Sequence, residues 1–287
     1  MKVSRVAVVG AGTVGSQLAF QCALHGVEVQ LTSRSQETLD AGVAGASRVL
    51  KRRVEKGQLE GADCDAAVDR VNATTSIEEA LKGAQVVVEA VAERLDVKQE
   101  VFRLLDRHAQ PGAILATTSS TIGISQLAEV TTRGTHCLNA HFFNPVLLMD
   151  LVEVVRGPDT ADEVVERTME FCRQVGRHPI EVNRESYGFI VNRVIFTAIR
   201  EALRLVEEGA ATPEDIDEAC VRGLNWPMGP IKLADFIGLD VIHDAWLLGR
   251  DEMHDQAWTP TRELVQRVRQ GQLGMKSGQG YFTHNKK

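Results

Sequence analysis

The stretch that decides the fold is Val3-Ser4-Arg5-Val6-Ala7-Val8-Val9-Gly10-Ala11-Gly12-Thr13-Val14-Gly15. A hydrophobic run reads as a strand, ends in G-x-G-x-x-G and opens a helix over residues 16–25. Gly10 allows the tight turn, Gly12 lets the backbone approach a pyrophosphate, and Gly15 lets helix and strand pack closely. The phosphates would lie against the N–H groups of the helix N-terminus, with Thr13 and Val14 between the glycines. A second apolar strand at residues 27–31 follows at βαβ spacing. The chain is therefore expected to be α/β, beginning with a Rossmann-type, mostly parallel sheet that holds a dinucleotide.

Size and composition agree with that frame. The 287 residues suffice for two domains, at about 100–200 residues each. A hydrophobic fraction of 44% and a charged fraction of 25% are ordinary for a soluble globular protein. The net charge of −7 argues against nucleic acid and against an anionic membrane as partner. No apolar run approaches the ~20 residues that span a bilayer. The chain enters a strand almost at once, which leaves no room for a signal peptide. The five cysteines are scattered without a C-x-x-C pair and read as reduced core residues of a cytoplasmic protein. No His/Cys cluster has metal-ligand spacing, so no metal is expected.

Outward from the glycines, the second strand leads into Thr32-Ser33-Arg34-Ser35. NAD-binding units usually carry an acid about 20 positions after the glycines to hold the ribose hydroxyls, and none stands here. A long helix over 36–57 ends in Lys51-Arg52-Arg53 and Lys56. That cluster is either a solvated face or a contact to the phosphates of a bulky acyl carrier. Residues 71–74 read as a strand, and Ser76 caps a short helix with Glu79 three positions on. The apolar run 86–91 reads as a buried parallel strand. It leads to Glu93 and to a helix over 96–108 with Lys98 in its first turn. Ligands bind at the carboxyl edge of such sheets, where Glu93 and Lys98 fall. A strand over 113–116 empties into five hydroxyl residues, Thr117 to Thr121. They either cap the next helix or bond a substrate oxygen.

A further strand reaches His141-Phe142-Phe143-Asn144-Pro145, and the run 151–155 carries Glu153 twelve positions after His141. Asn-Pro marks a turn between the two strands. Such a pair can bring imidazole and carboxylate together, which fixes the tautomer and makes the other ring nitrogen a proton acceptor. The plainer alternative is a histidine satisfied by backbone with Glu153 in solvent, and spacing alone favours it.

The pattern turns helical from Gly188. Val191, Val194, Ile195, Ala198, Ile199, Ala202, Leu205 and Val206 fall on one stripe, which is expected to be buried against other helices, partly those of a partner subunit. Arg200, Glu201 and Arg204 lie off it and should be more exposed. Gly209 ends this helix, and Thr212-Pro213 starts the next. The expected division is a dinucleotide-binding domain over 1–184 and an all-α domain over 185–287.

These motifs together resemble the 3-hydroxyacyl-CoA dehydrogenase family. The matching segments are GAGTVG at 10–15, EAVAERLDVKQEVF at 89–102, TTSST at 117–121, HFFNP at 141–145 and LVEVV at 151–155. GFIVNR at 188–193, GLNWPMGP at 223–230, DFIGLD at 235–240 and KSGQGYF at 276–282 extend the resemblance nearly end to end. It implies His141 as catalytic base, Glu153 as its orienting partner, and Ser120 and Asn192 around the substrate oxygen. It also implies Glu93, Lys98, Ser120, Asn144 and Lys276 as cofactor contacts, and a homodimer built by the helical domain. Three departures stand out: Thr117-Thr118-Ser119 replaces Ser-Asn-Thr, Asp150 stands where lysine is common, and Tyr187 replaces a proline.

The expected reaction is hydride transfer between a nicotinamide and C3 of a 3-hydroxyacyl thioester, with Lys51, Arg52 and Lys56 near its carrier. Two rivals remain: the same chemistry on a carrier-protein thioester or a free hydroxy acid, and a non-catalytic dinucleotide-binding protein. The resemblance implies NAD. The family's acid, however, falls on Ser33 here, with Arg34 next. Loss of the carboxylate and gain of a guanidinium both suit a 2′-phosphate, so this loop tilts the choice toward NADP(H).

Overall fold

Strand β1 (Arg5–Val9) lies within an eight-stranded sheet, with α1 (Thr13–Leu24), β2 (Glu28–Thr32), α2 (Gln36–Glu55), α3 (Gly61–Arg70) and β3 (Val71–Thr74) following it. The computed structural model describes residues 2–284. Next come α4 (Ile77–Leu81), β4 (Val86–Glu89), α5 (Leu95–His108), β5 (Ile114–Thr117), α6 (Ile124–Ala128) and β6 (Cys137–Phe142). The first unit closes with β7 (Leu151–Arg156), α7 (Asp162–Gln174) and β8 (His178–Val182). The strand order is β3-β2-β1-β4-β5-β6-β7-β8, parallel except for the antiparallel pair β6–β7. Order reverses between β1 and β4, and in open α/β sheets ligands bind in the crevice at such a switch point.

Val6, Ala7 and Val8 of β1 and Val87 and Val88 of β4 are wholly buried, as expected of parallel strands covered on both faces. Ser76 accepts from Glu79 N and so caps α4 as its sequence predicts. The sequence reading leaves α3 and α7 unassigned. Both are amphipathic helices with few apolar residues, and α7 turns Val164, Val165, Thr168, Phe171 and Cys172 inward.

The chain divides into two units, Met1–Ser186 and Tyr187–Lys287, two residues after the expected boundary. Glu185 explains the difference. Its carboxylate accepts from Ser125 N and Ser125 Oγ, which ties the connector to the first unit.

The second unit is helical: α8 (Val191–Glu207), α9 (Pro213–Leu224), α10 (Pro230–Ile237), α11 (Leu239–Met253) and α12 (Arg262–Arg269). Gly188 and Phe189 both adopt left-handed backbone (φ +70° and +48°), so α8 begins at Val191 and not at Gly188. Only part of the expected stripe is buried within the chain itself. Val194 is 63% exposed, whereas Phe196 and Leu203 join Ile199 and Ala202 in the core. Glu201 is exposed as expected. Arg200 and Arg204 are only half-exposed, because one guanidinium lies over the Trp258 ring and the other donates to Ala257 O. Thr212 caps α9 through Asp215 N. Buried Asp235 accepts from Tyr281 N and Phe282 N and pairs with His284, which fastens the glycine-rich tail.

Candidate active site

Gly10 and Gly15 meet the steric demands that the sequence implies. Gly10 has φ +115°, and a Cβ there would collide with Ala90 O. A Cβ on Gly15 would collide with Gly10 O, so helix and strand close only on glycine. Nothing lies within 4 Å of a Cβ built on Gly12, which leaves room for a ligand. Helix α1 starts at Thr13 with Val14 next, without a side-chain cap and without an acid in its first turn. That suits an anion at the helix N-terminus. A cavity of about 440 Å³ opens here at the switch point, lined by Gly10, Gly12, Ser33, Arg34, Val91 and Leu104 among others. Its glycine cradle at the start of α1 suits the adenosine half of a dinucleotide.

The β6–β7 register sets His141 directly opposite Glu153. Opposed residues in an antiparallel pair point to one face, and His141 Nδ1 meets Glu153 Oε2 at 2.7 Å. Both groups are buried, at 7% and 1% exposure. The alternative with Glu153 in solvent is thereby excluded. The Phe143 ring packs 4.5 Å from the imidazole. Asn144 is exposed in the loop beyond, whose Leu147 N donates to Gln17 of α1.

Glu93 and Lys98 belong to a network the sequence only half reveals. Lys98 is 1% exposed and donates to both carboxylate oxygens of buried Glu89, at 2.8 and 3.0 Å, and pairs with Glu93 at 3.2 Å. It is not the surface pair that its place near a helix start would suggest. Thr117 Oγ1 and Val91 N also donate to Glu89. Glu93 in turn accepts from Ser119 Oγ, from Thr121 Oγ1 at 2.7 Å and from Thr121 N. Burial alone would push the Glu93 carboxyl up. Lys98 and the two hydroxyls outweigh it and hold the carboxyl below its usual range. Ser120 thus sits between two residues anchored on Glu93.

Asn139, on β6, is the residue the sequence reading missed. It is fully buried, with Oδ1 accepting from Ile124 N and Nδ2 donating to Ser119 O and Ile122 O. Its place two positions before His141 in an apolar strand is the signal that could have found it.

Lys51, Arg52 and Lys56 are exposed on and just beyond the last turns of α2, while their neighbour Arg53 donates to Leu147 O. Asn192 lies in the first turn of α8, and Lys276 pairs with Asp240 at 2.5 Å, both within the second unit. Among the described residues no group of His, Cys, Asp and Glu could hold a metal, and no helix is long and apolar enough to cross a membrane. All five cysteines are free, and burial pushes the Cys172 thiol up to about 12.

Residues 5–186 match the family model described as 3-hydroxyacyl-CoA dehydrogenase, NAD binding domain, and residues 188–284 match the C-terminal domain of the same family. The chain belongs to the 3-hydroxyacyl-CoA dehydrogenase family. A probable 3-hydroxybutyryl-CoA dehydrogenase of Bacillus subtilis is 37% identical over 100% of this chain and 99% of its own length. The crystal structure of an (S)-3-hydroxybutyryl-CoA dehydrogenase from Ralstonia eutropha is 36% identical with a TM-score of 0.95, covering 99% of this chain and 100% of that one. A diketoreductase structure, concerned with dicarbonyl compounds, is 29% identical with a TM-score of 0.86, covering 99% and 100%. As a 3-hydroxyacyl-CoA dehydrogenase, the chain is a nicotinamide-dependent oxidoreductase with a Rossmann-type sheet followed by a helical unit.

Proposed function

We propose that the chain performs 3-hydroxyacyl-CoA oxidoreduction with His141 as general base and Glu153 as its orienting partner. The observation that carries this is the buried 2.7 Å contact between His141 Nδ1 and Glu153. With Glu153 on Nδ1, exchange of the substrate hydroxyl proton falls to Nε2. Glu153 supports the imidazolium that develops. Ser120 and Asn192 donate to the substrate oxygen as it gains carbonyl character, a task suited to preorganised donors. The bound nicotinamide supplies the hydride acceptor or donor at C3. Exposed Lys51, Arg52 and Lys56 meet the phosphates of the acyl carrier, and Asn144, Glu93, Lys98 and Lys276 serve the cofactor pose.

The test compares kcat/KM for acetoacetyl-CoA, a carrier-protein thioester and free acetoacetate. The CoA thioester should lead by at least about tenfold, or ~1.4 kcal/mol. A free dicarbonyl acid in the lead would favour the second reading, the same chemistry without CoA. The likeness to the diketoreductase and the exposed carboxylate at Asp150 support that second reading.

The finer cofactor reading is NADP(H) over NAD(H). Ser33 and Arg34 line the adenosine cavity, and Arg34 is exposed where a 2′-phosphate would need a cation. We also read the second unit as the dimer-forming one, since Val194, Leu224 and Phe236 expose about 60% of their surfaces there. A monodisperse monomer in light scattering at micromolar concentration would refute the dimer.

A further inference from the structure

Among the described residues no side-chain hydrogen bond anchors Ser120 itself, and its position is set by its neighbours. Ser119 N donates to Thr117 Oγ1, and Ser119 Oγ accepts from Ile122 N at 2.8 Å. Across this turn lies one buried amide. Asn139 Nδ2 donates to Ser119 O at 3.2 Å and to Ile122 O at 3.0 Å, while Oδ1 accepts from Ile124 N at 2.9 Å. The partners are two carbonyls and one N–H, so only this orientation of the amide satisfies them. All three bonds go to the segment 119–124, and they bracket Ser120.

Residues two apart on a strand share a face, so Asn139 and His141 project from the same side of β6. One rigid strand therefore carries the histidine and also grips the loop that carries the serine. Glu93 holds the same loop from the other side, through Ser119 and Thr121.

We propose that Asn139 is a positioning residue that registers Ser120 against His141, so that both meet one substrate oxygen. This rests on the reading of Ser120 as a donor to that oxygen. A group misplaced by about 1 Å can lose ~10²-fold in rate, which is the scale of effect open to such a clamp. A merely structural Asn139 would satisfy buried backbone groups, and its loss would appear in stability without coupling to Ser120.

The experiment is a double-mutant cycle on the whole chain: wild type, Asn139→Ala, Ser120→Ala and the double variant. It reads kcat on acetoacetyl-CoA, the Kd of the preferred nicotinamide by fluorescence, and Tm. Asn139→Ala should lower kcat by about 10–100-fold and leave the cofactor Kd within about twofold. In the Ser120→Ala background the same change should lower kcat by less than about threefold, because coupled residues do not add. Equal factors in both backgrounds would overturn the proposal, as would near-wild-type kcat in Asn139→Ala. Near-wild-type kcat in Ser120→Ala would remove the role of Ser120 itself, and with it the clamp. If Asn139→Ala does not fold, Asn139→Asp keeps the volume and the acceptor for Ile124 N but loses both donors. The cycle then carries the same expectations.

Discussion

The β6–β7 hairpin and the turn from β2 into α2 both border the sheet that carries the proposed chemistry, yet they are built in opposite ways. In the hairpin, His141 and Glu153 are buried and locked by strand register. A slip of one residue would turn every side chain to the other face, so the pair can be parted only by breaking the sheet. In the turn, Arg34 is exposed, Ser33 half-exposed, and Ser35 is tied to Thr38 N by a single cap bond of 3.3 Å. On the proposed reading, proton chemistry is written into the framework, whereas cofactor choice sits on side chains that can change without moving the backbone.

The largest way to sharpen this contrast is to break the framework. Lys98→Met leaves Glu89 and Glu93 without their cation, and removing one partner of a buried pair costs about 3–5 kcal/mol. Urea unfolding should show that loss, and Glu89→Gln should recover part of it in the double variant. A change within ~0.5 kcal/mol would mean that Lys98 serves the cofactor alone. Next in size, Glu153→Gln keeps the shape of the pair but removes its charge. It should lower kcat by about 10–100-fold, or ~1.4–2.7 kcal/mol, with cofactor affinity unchanged. A variant altered only in thermal stability would contradict the paired reading. Smaller again, Ser33→Asp/Arg34→Ile should shift the ratio of kcat/KM from NADPH toward NADH by at least about tenfold, near 1.4 kcal/mol. Wild type already preferring NADH by that margin would show that Arg34 does not read a 2′-phosphate.

The smallest effect concerns pH. The Glu93 carboxyl titrates below its usual value because Lys98 and the hydroxyls of Ser119 and Thr121 overcome the effect of burial. Its contribution is therefore present above the ordinary glutamate value of ~4.3 and lost as pH falls through the lower folded value. The Tm advantage of wild type over Glu93→Gln should be constant from about pH 7 to 5 and shrink in stronger acid. An advantage that persisted unchanged into strong acid would contradict the loop anchoring.

How much was legible depended on whether a residue's partner lay nearby in the pattern. Strand-glycine-helix spacing and the Ser76 and Thr212 caps are local, and the structure reproduces them; the His141–Glu153 contact was one of two readings that spacing left open, and spacing alone favoured the other. Asn139 and Glu89 were not legible as a clamp and an anchor. Their partners lie across parallel strands and loops, at separations such as 28 residues between Thr117 and Glu89. A polar residue in a mostly apolar strand was the available clue in both cases. On α8 the period does not tell which residues of the stripe meet this chain's own core and which, such as Val194, stay exposed on it. Period fixes a face, but which edge of it meets the core depends on Phe196, Leu203 and the helices they pack against.

The central claim, that a buried His141–Glu153 pair moves the substrate proton, is tested most directly by single-turnover rates in His141→Gln. The nicotinamide absorbance reports the step on acetoacetyl-CoA, and the cofactor Kd is measured in parallel. The glutamine keeps approximate size and one hydrogen bond but cannot take the proton. The rate should fall by at least ~10² with cofactor affinity nearly unchanged. A rate close to wild type in a variant that still binds cofactor would contradict the assignment.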